Sequence, residues 1–429
     1  MTRKSVAVEF LARVEGEGGL TIKVRDGLVK DVKVDIFEPP RLFEGFLRGR
    51  TYLEAPDITA RICGICPVAY QTASAQAMED ALALVPDARI RALRRLLFCG
   101  EWIESHALHI YLLHAPDFLG YEDAIRMSAD HGEAVLRGLR LKKLGNDLMR
   151  VIGGREVHPV NYRVGGFYRA PLRRELSAFE GELEWAREAA LETVRLVATF
   201  DFPDFEPDYE FVALHHPDEY AIGEGRIVSS KGIDVAVRDF LQVFGEEHVA
   251  HSNALHVVVK ERGAYHVGPL ARYNLNFARL PDFVQDAAHD AGLTHVCHNP
   301  FKSIIVRALE LAFACDESLK LVRAYEPPEP PFVAGTPRAA TGHGACEAPR
   351  GLLYHRYRLD DLGVIQDARI VPPTAQNLRQ MEDDLRAFAG PRLDMPGDRL
   401  TWQCEQAVRN YDPCISCATH ALRVRIERD

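Results

Sequence analysis

Residues 410–420 read NYDPCISCATH, and residues 61–67 read RICGICP. Each stretch carries a Cys-x-x-Cys pair, Cys414/Cys417 and Cys63/Cys66. Thiols at this spacing converge on one metal, and the turn into a helix N-terminus favours the thiolate. Pro67 follows the first pair and Pro413 precedes the second, as at a turn or a helix start. Four thiolates suit a soft or borderline metal: zinc, an iron–sulfur centre or nickel. A zinc ribbon closes a short loop, whereas these pairs lie near opposite ends of the chain, which weakens the zinc reading. The second pair also lies where chains fray, with only Ala421 to Asp429 beyond His420. A metal there has to be tied down.

The chain around these pairs is an ordinary globular one. Its 429 residues are 47% hydrophobic and 27% charged, enough for a large core. A formal charge of −10 argues against a nucleic-acid partner, whose protein footprint is usually basic. The N-terminal stretch has no apolar signal region, and no apolar run reaches the roughly 20 residues of a membrane span. A cytoplasmic location is expected. The remaining cysteines, Cys99, Cys297, Cys315, Cys346 and Cys404, are expected to be buried core thiols. Dinucleotide GxGxxG, P-loop, HGGG and GxSxG patterns are missing, so nucleotide and serine-hydrolase chemistry find no footing.

Period-two alternation over residues 5–38, broken by Gly-rich turns and Asp26-Gly27, predicts an antiparallel meander. Helical spacing predicts a long helix over 87–115, a second over 171–200 and a third over 300–324. Short strands are expected within 205–270, a turn-rich surface loop around Gly153–Gly166, and a stiff proline connector over 326–332. The fold class is α+β: a long-helix core with peripheral antiparallel β segments.

Read together, RICGIC and DPCISCATH resemble the large subunit of the nickel–iron hydrogenases. The likeness runs through RVEGEGG (13–19), FEGFLRGR (43–50), VHPVNYRVGG (157–166), VGPLAR (267–272), EAPRG (347–351) and VPPTAQN (371–377), in that order. Pro-Val-Ala-Tyr after RICGIC and Ile-Ser after DPC lean towards the cytosolic, NADP-coupled sulfhydrogenase branch.

The resemblance implies a single catalytic subunit over 1–420, with 421–429 a propeptide removed by a maturation protease after nickel insertion. It implies reversible heterolytic hydrogen oxidation at a nickel–iron centre whose iron bears carbon monoxide and cyanide. Cys63 and Cys414 would be terminal nickel ligands, with Cys66 and Cys417 bridging to iron. Heterolysis needs an electrophile and a base beside it, and the terminal thiolate of Cys414 would be that base. Glu15 would be the proton gate, and the Arg350 guanidinium would face the open metal position. Pro349, Pro373 and Thr374 would line the pocket of the diatomic ligands. Glu44 and His420 would hold magnesium, with a carbonyl near Arg369 as a third ligand.

Partners implied by the resemblance are an iron–sulfur small subunit docked near Gly153–Gly166, further flavin, NAD(P) and iron–sulfur subunits, and nickel-insertion factors. No iron–sulfur cluster is expected in this chain itself. The competing readings are a deazaflavin-coupled hydrogenase, a non-hydrogenase relative of the same fold, and a zinc-stapled scaffold. Four positions depart from the family pattern: Glu17 and Tyr70 where histidine is usual, Ser105 before His106 where aspartate is common, and Pro373 where some members have serine. His106, His109 and His114 are expected to be buried without binding the metal.

Overall fold

The computed structural model describes residues 3–420, so the expected propeptide 421–429 lies outside the described residues. The meander forms as strands Arg3–Val8, Gly18–Arg25 and Leu28–Ile36 in antiparallel order. Leu20, Ile22, Val32, Val34 and Ile36 pack inward, and the polar residues between them face out, which is what period-two alternation dictates.

The core is built on helices. Ala88–Leu108 starts at Asp87, whose carboxylate accepts the Ile90 N–H at 2.9 Å, a cap contributing about 1 kcal/mol. Ile90, Leu93, Leu97, Trp102 and Ile103 are all buried, each worth about 1.5–3 kcal/mol of transfer free energy. The helix continues through a π segment, His109–His114, into Ala115–Leu119. The helix expected over 171–200 divides into Arg173–Ser177 and Glu180–Ala198. The third expected helix forms as Ser303–Arg323.

Two large elements go beyond the sequence reading. Ala124–Gly153 is the longest helix described, with non-helical backbone at His131. Its glycines weaken a helix pattern in the sequence. Tertiary packing requires them: a Cβ at Gly138 would enter the Tyr111 ring, and one at Gly145 would press on the backbone at Gly100 and Glu104. The second element is a sheet of strands Ala340–Ala348, Gly351–Leu359 and Ile365–Val371, lying along the helix Pro67–Leu82. Its strands are buried on both faces over most of their length, so the sequence carries no alternation to reveal them.

The Gly153–Gly166 segment is more than a surface loop. It folds into a small hairpin, Tyr162–Arg163 with Gly166–Phe167, and buries Tyr162, Val164 and Phe167. Glu79 anchors it by accepting the Gly165 N–H at 2.7 Å while pairing with Arg94. The proline connector packs on it, with the Phe167 N–H donating to the Pro331 carbonyl. Val157 and Val160 within this segment, and Tyr168 and Leu172 just after it, remain exposed.

Candidate metal centre

The first cysteine pair sits where the helix Ala55–Ala60 ends and Pro67–Leu82 begins, with Cys66 as N-cap and Pro67 in the first turn. Two N–H groups of that first turn, on Val68 and Ala69, donate to Glu101 of the long helix at 2.6 and 3.1 Å. Cys63 Sγ accepts the N–H groups of Ile65 and Cys66 at 3.3 and 3.1 Å. Burial raises its pKa, but the Cys66 hydrogen bonds and the Arg350 charge outweigh it and leave the thiol lowered. Its neighbour Cys66 is pushed up by the hydrogen bond to Cys63 and by burial.

The C-terminal pair meets the first in the interior. Cys63 Sγ lies 3.6 Å from Cys414 Sγ, and the sulfurs of Cys63, Cys66 and Cys417 lie within 4.8 Å of one another. None of the four residues is more than 3% exposed. Cys414 and Cys417 sit side by side, their Sγ atoms in contact, which places the fourth sulfur against the other three.

Three further segments of the resemblance converge on this cluster. The Glu15 stretch lies beside DPCI like a strand: the Glu15 N–H donates to the Pro413 carbonyl at 3.4 Å and the Ile415 N–H to the Glu15 carbonyl at 2.9 Å. That pairing sets Glu15 Oε2 at 3.1 Å from Cys414 Sγ, where it also accepts the Ser416 N–H at 3.1 Å. Gly16, at φ +86°, has to be glycine: a Cβ there would meet Glu38, Ile415 and Ser416 at 2.7–2.9 Å. The Ser416 hydroxyl donates to Glu38 Oε2 at 3.0 Å, and the exposed Glu17 N–H donates to the same oxygen at 3.2 Å.

Arg350 occupies the tight corner between two strands of the buried sheet. Its Nε donates to the Asp412 carbonyl at 2.7 Å and its Nη2 to Asp412 Oδ1 at 3.1 Å, while Nη1 has no partner among the described residues. Its charge acts on Asp412 foremost and then on Cys66 and Cys63. Arg272, from the VGPLAR stretch, holds that corner by donating to the carbonyls of Ala348 and Pro349 at 2.8 and 3.0 Å, with Glu310 and Glu347 as its counter-ions. The Thr374 hydroxyl oxygen accepts the Cys414 N–H at 3.0 Å, beside the buried Pro373 that opens the helix Pro373–Ala389.

Glu44 and His420 meet at Ile370. Glu44 Oε1 accepts the Ile370 N–H at 2.8 Å, and His420 Nε2 lies 3.0 Å from the Ile370 carbonyl oxygen. The Ile370 carbonyl, one residue after Arg369, faces His420, while the Arg369 side chain turns to Glu246 at 3.1 Å. His420 is fully buried, and its own carbonyl accepts the Phe43 N–H at 3.2 Å. The end of the described chain is tied down.

Several positioning residues carry no distinct signal in a single sequence. Arg41 donates to the carbonyls of Ile62 (2.7 Å) and Ser416, clamping both cysteine loops. Glu101 and Glu38 are two among 62 acidic residues. Asp412 stands inside the DPC motif, the one clue available. The expected core histidines behave as such: His106 lies 3.0 Å from Glu310, His109 Nε2 lies 2.9 Å from the Arg409 carbonyl, and all three are buried. Tyr70 is buried, and its hydroxyl has no partner among the described residues.

The donor chemistry fits a soft metal centre: four buried sulfurs, a permanent cation with an unused N–H, and a carboxylate within proton reach of one sulfur. Fold and site together mark a candidate metalloenzyme whose site is lined by four cysteine sulfurs. Residues 41–137 and 261–420 match the family model described as nickel-dependent hydrogenase. Sulfhydrogenase 1 subunit alpha and sulfhydrogenase 2 subunit alpha of Pyrococcus furiosus are 33% and 34% identical, over 98% of this chain and 98% and 100% of theirs. A solved NAD+-reducing [NiFe]-hydrogenase in the hydrogen-reduced state superposes with TM-score 0.86 at 27% identity, covering 97% of this chain and 99% of that one. A [NiFeSe]-hydrogenase of Dm. baculatum shares the fold at TM-score 0.80 and 23% identity, covering 98% of this chain and all of that one. The chain belongs to the nickel-dependent hydrogenases, as a catalytic large subunit. It is an oxidoreductase acting on hydrogen, of a family built on a nickel–iron centre. Among the described residues no helix is long and apolar enough to cross a membrane.

Proposed function

We propose that Cys63 and Cys414 bind nickel terminally, that Cys66 and Cys417 bridge to iron, and that the iron carries carbon monoxide and cyanide. When bound, the nickel–iron centre supplies the electrophile that polarises hydrogen and the route by which its electrons leave. Cys414 Sγ is the base that takes the proton, and Glu15 Oε2, 3.1 Å away, receives it. This contact, inside a buried four-sulfur cluster, carries the reading. From Glu15 the proton leaves through water towards Glu38 and solvent; the Ser416 N–H, which cannot relay, holds Glu15 in place, and the Ser416 hydroxyl donates to Glu38. Arg350 keeps a fixed positive charge against the site, where exclusion of water strengthens its field.

Pro349, Pro373 and Thr374 line the pocket of the diatomic ligands; the Thr374 hydroxyl accepts from Cys414 and keeps its own proton to donate. Glu44, His420 and the Ile370 carbonyl hold magnesium, and Ala421 to Asp429 are removed once the metals are in place. An iron–sulfur small subunit docks on a face that includes the Gly153–Gly166 segment, where Val157 and Val160 are exposed apolar side chains. Electrons pass through it to NAD(P) on further subunits, in line with the relatives named sulfhydrogenase and NAD+-reducing hydrogenase. The working enzyme is a cytoplasmic heteromultimer.

The test is metal analysis and infrared spectroscopy on the purified complex. About one nickel and one iron per chain, with carbonyl and cyanide stretching bands, are expected. Zinc alone with no such bands would return the zinc-stapled scaffold. Mass spectrometry of the mature subunit should end at His420, and retention of the tail would refute processing while leaving the ligand set standing.

A further inference from the structure

A second group of metal-ligating side chains lies apart from the four cysteines. Ligand atoms of His251, His256 and Glu382 all fall within 4.8 Å of one another. They come from three places in the chain: the turn between strands Phe244–Glu247 and His256–Val259, the first residue of the latter strand, and the helix Pro373–Ala389. His251 Nε2 lies 2.6 Å from Glu382 Oε1, and that oxygen also accepts the Val34 N–H at 3.0 Å.

His256 is the anomaly. It is 0% exposed, and neither ring nitrogen has a hydrogen-bond partner among the described residues. Burying an imidazole with both nitrogens unpaired costs the desolvation of each, which an apolar side chain would avoid. The His251 ring stands edge-on at 5.8 Å between centroids and does not satisfy it. Burial foremost, with Arg379 nearby, holds His256 neutral, its pKa down at about 4. A neutral imidazole is the form that binds a metal.

We infer that His251, His256 and Glu382 form a binding site for one divalent borderline cation, zinc in preference, separate from the nickel–iron centre. Two imidazoles and one carboxylate are a donor set zinc favours, with a fourth position left for water. The cation gives His256 its missing partner and neutralises the buried Glu382. It also staples the 248–255 turn onto the Pro373 helix. That turn grips the meander: the Asn253 N–H donates to the Ile36 carbonyl at 2.8 Å, and Asn253 Nδ2 to the carbonyls of Phe37 and Glu38 at 3.1 and 3.3 Å. The cation would hold the backbone that carries Glu38.

The experiment uses the purified, nickel-loaded complex after dialysis against a chelator, titrated first with zinc alone and then with cobalt(II) alone. Wild type should take up about one zinc per chain beyond its nickel and iron, and cobalt should give visible bands of nitrogen and oxygen ligation. His256→Ala and Glu382→Gln should lose this uptake with nickel and iron unchanged. The half-buried His251→Asn keeps the test open if His256→Ala does not fold. No stoichiometric zinc in wild type, uptake retained in both His251→Asn and Glu382→Gln, or sulfur-to-cobalt charge-transfer bands would each overturn the site.

Discussion

Arg350 is bound to the residue two places before Cys414: its Nε donates to the Asp412 backbone carbonyl at 2.7 Å and its Nη2 pairs with the Asp412 carboxylate at 3.1 Å. The corner of the buried sheet and the C-terminal cysteine loop are thereby locked together. Asp412 adopts a left-handed backbone, φ +50°, a conformation that aspartate tolerates better than most residues. Both side chains are 2% exposed, so neither charge can turn to water.

Asp412→Ala should therefore be severe. It strands a buried guanidinium and costs about 3–5 kcal/mol, with loss of nickel retention. Arg350→Lys keeps the charge but not the two-point grip, so metals should stay and hydrogen uptake should fall. Melting temperature and nickel content separate the two; equal nickel loss in both would make Arg350 purely structural.

Glu15→Gln preserves shape and the Ser416 N–H contact but cannot carry a proton. Nickel and iron should remain, while exchange of hydrogen with heavy water falls by about 10²-fold or more. Full exchange activity would remove Glu15 as the gate.

Glu38 stands one step further out and is partly exposed, so water can substitute for it. Glu38→Ala should slow the same exchange by about tenfold, less than Glu15→Gln. A loss as large as that of Glu15→Gln would show that Glu38 carries an obligatory step.

Gly342 and Gly344 let the buried sheet lie directly on the helix that starts at Cys66. A Cβ at either would drive into a backbone carbonyl, of Ala77 or Ala73 respectively. Gly344→Ala should cost about 1–3 kcal/mol or more and lower nickel content by shifting that helix. Thermal denaturation beside metal analysis checks it, and an unchanged melting point would refute so close a contact.

Asp384 accepts from the Tyr209 and Tyr411 hydroxyls, and burial pushes its pKa up to about 6 despite them. The folded state thus holds this proton more tightly than the unfolded chain, whose aspartates titrate near about 4. The stability it contributes is full below about pH 4 and is lost as pH rises through about 6. Relative to Asp384→Asn, wild-type melting temperature should fall across that window and then level off. A difference that grows with pH would reverse the sign and refute the raised pKa.

Local pattern made much of this protein legible. The meander's alternation, the three-turn-and-longer helices with caps such as Asp87, and both Cys-x-x-Cys pairs depend on neighbours in sequence, where residue type acts directly. The motif set RICGIC, RVEG, EAPRG and DPCISCATH likewise marked the family and its candidate site residues. The Ala124–Gly153 helix and the 340–371 sheet were not legible, for opposite reasons. The helix spends propensity on glycines that only the facing Tyr111 and Gly100 explain, and the sheet is buried on both faces and shows no period. Arg41, Glu101, Glu38, Asp412 and the Ile370 carbonyl belong to a third group: ordinary residues made specific by what folds against them. Sequence by itself determined which atoms can bind metal and which elements present them. Tertiary structure decided their meeting, because a buried sulfur cluster and the carboxylate beside it are contacts between segments hundreds of residues apart, and only packing brings Glu15 within 3.1 Å of Cys414.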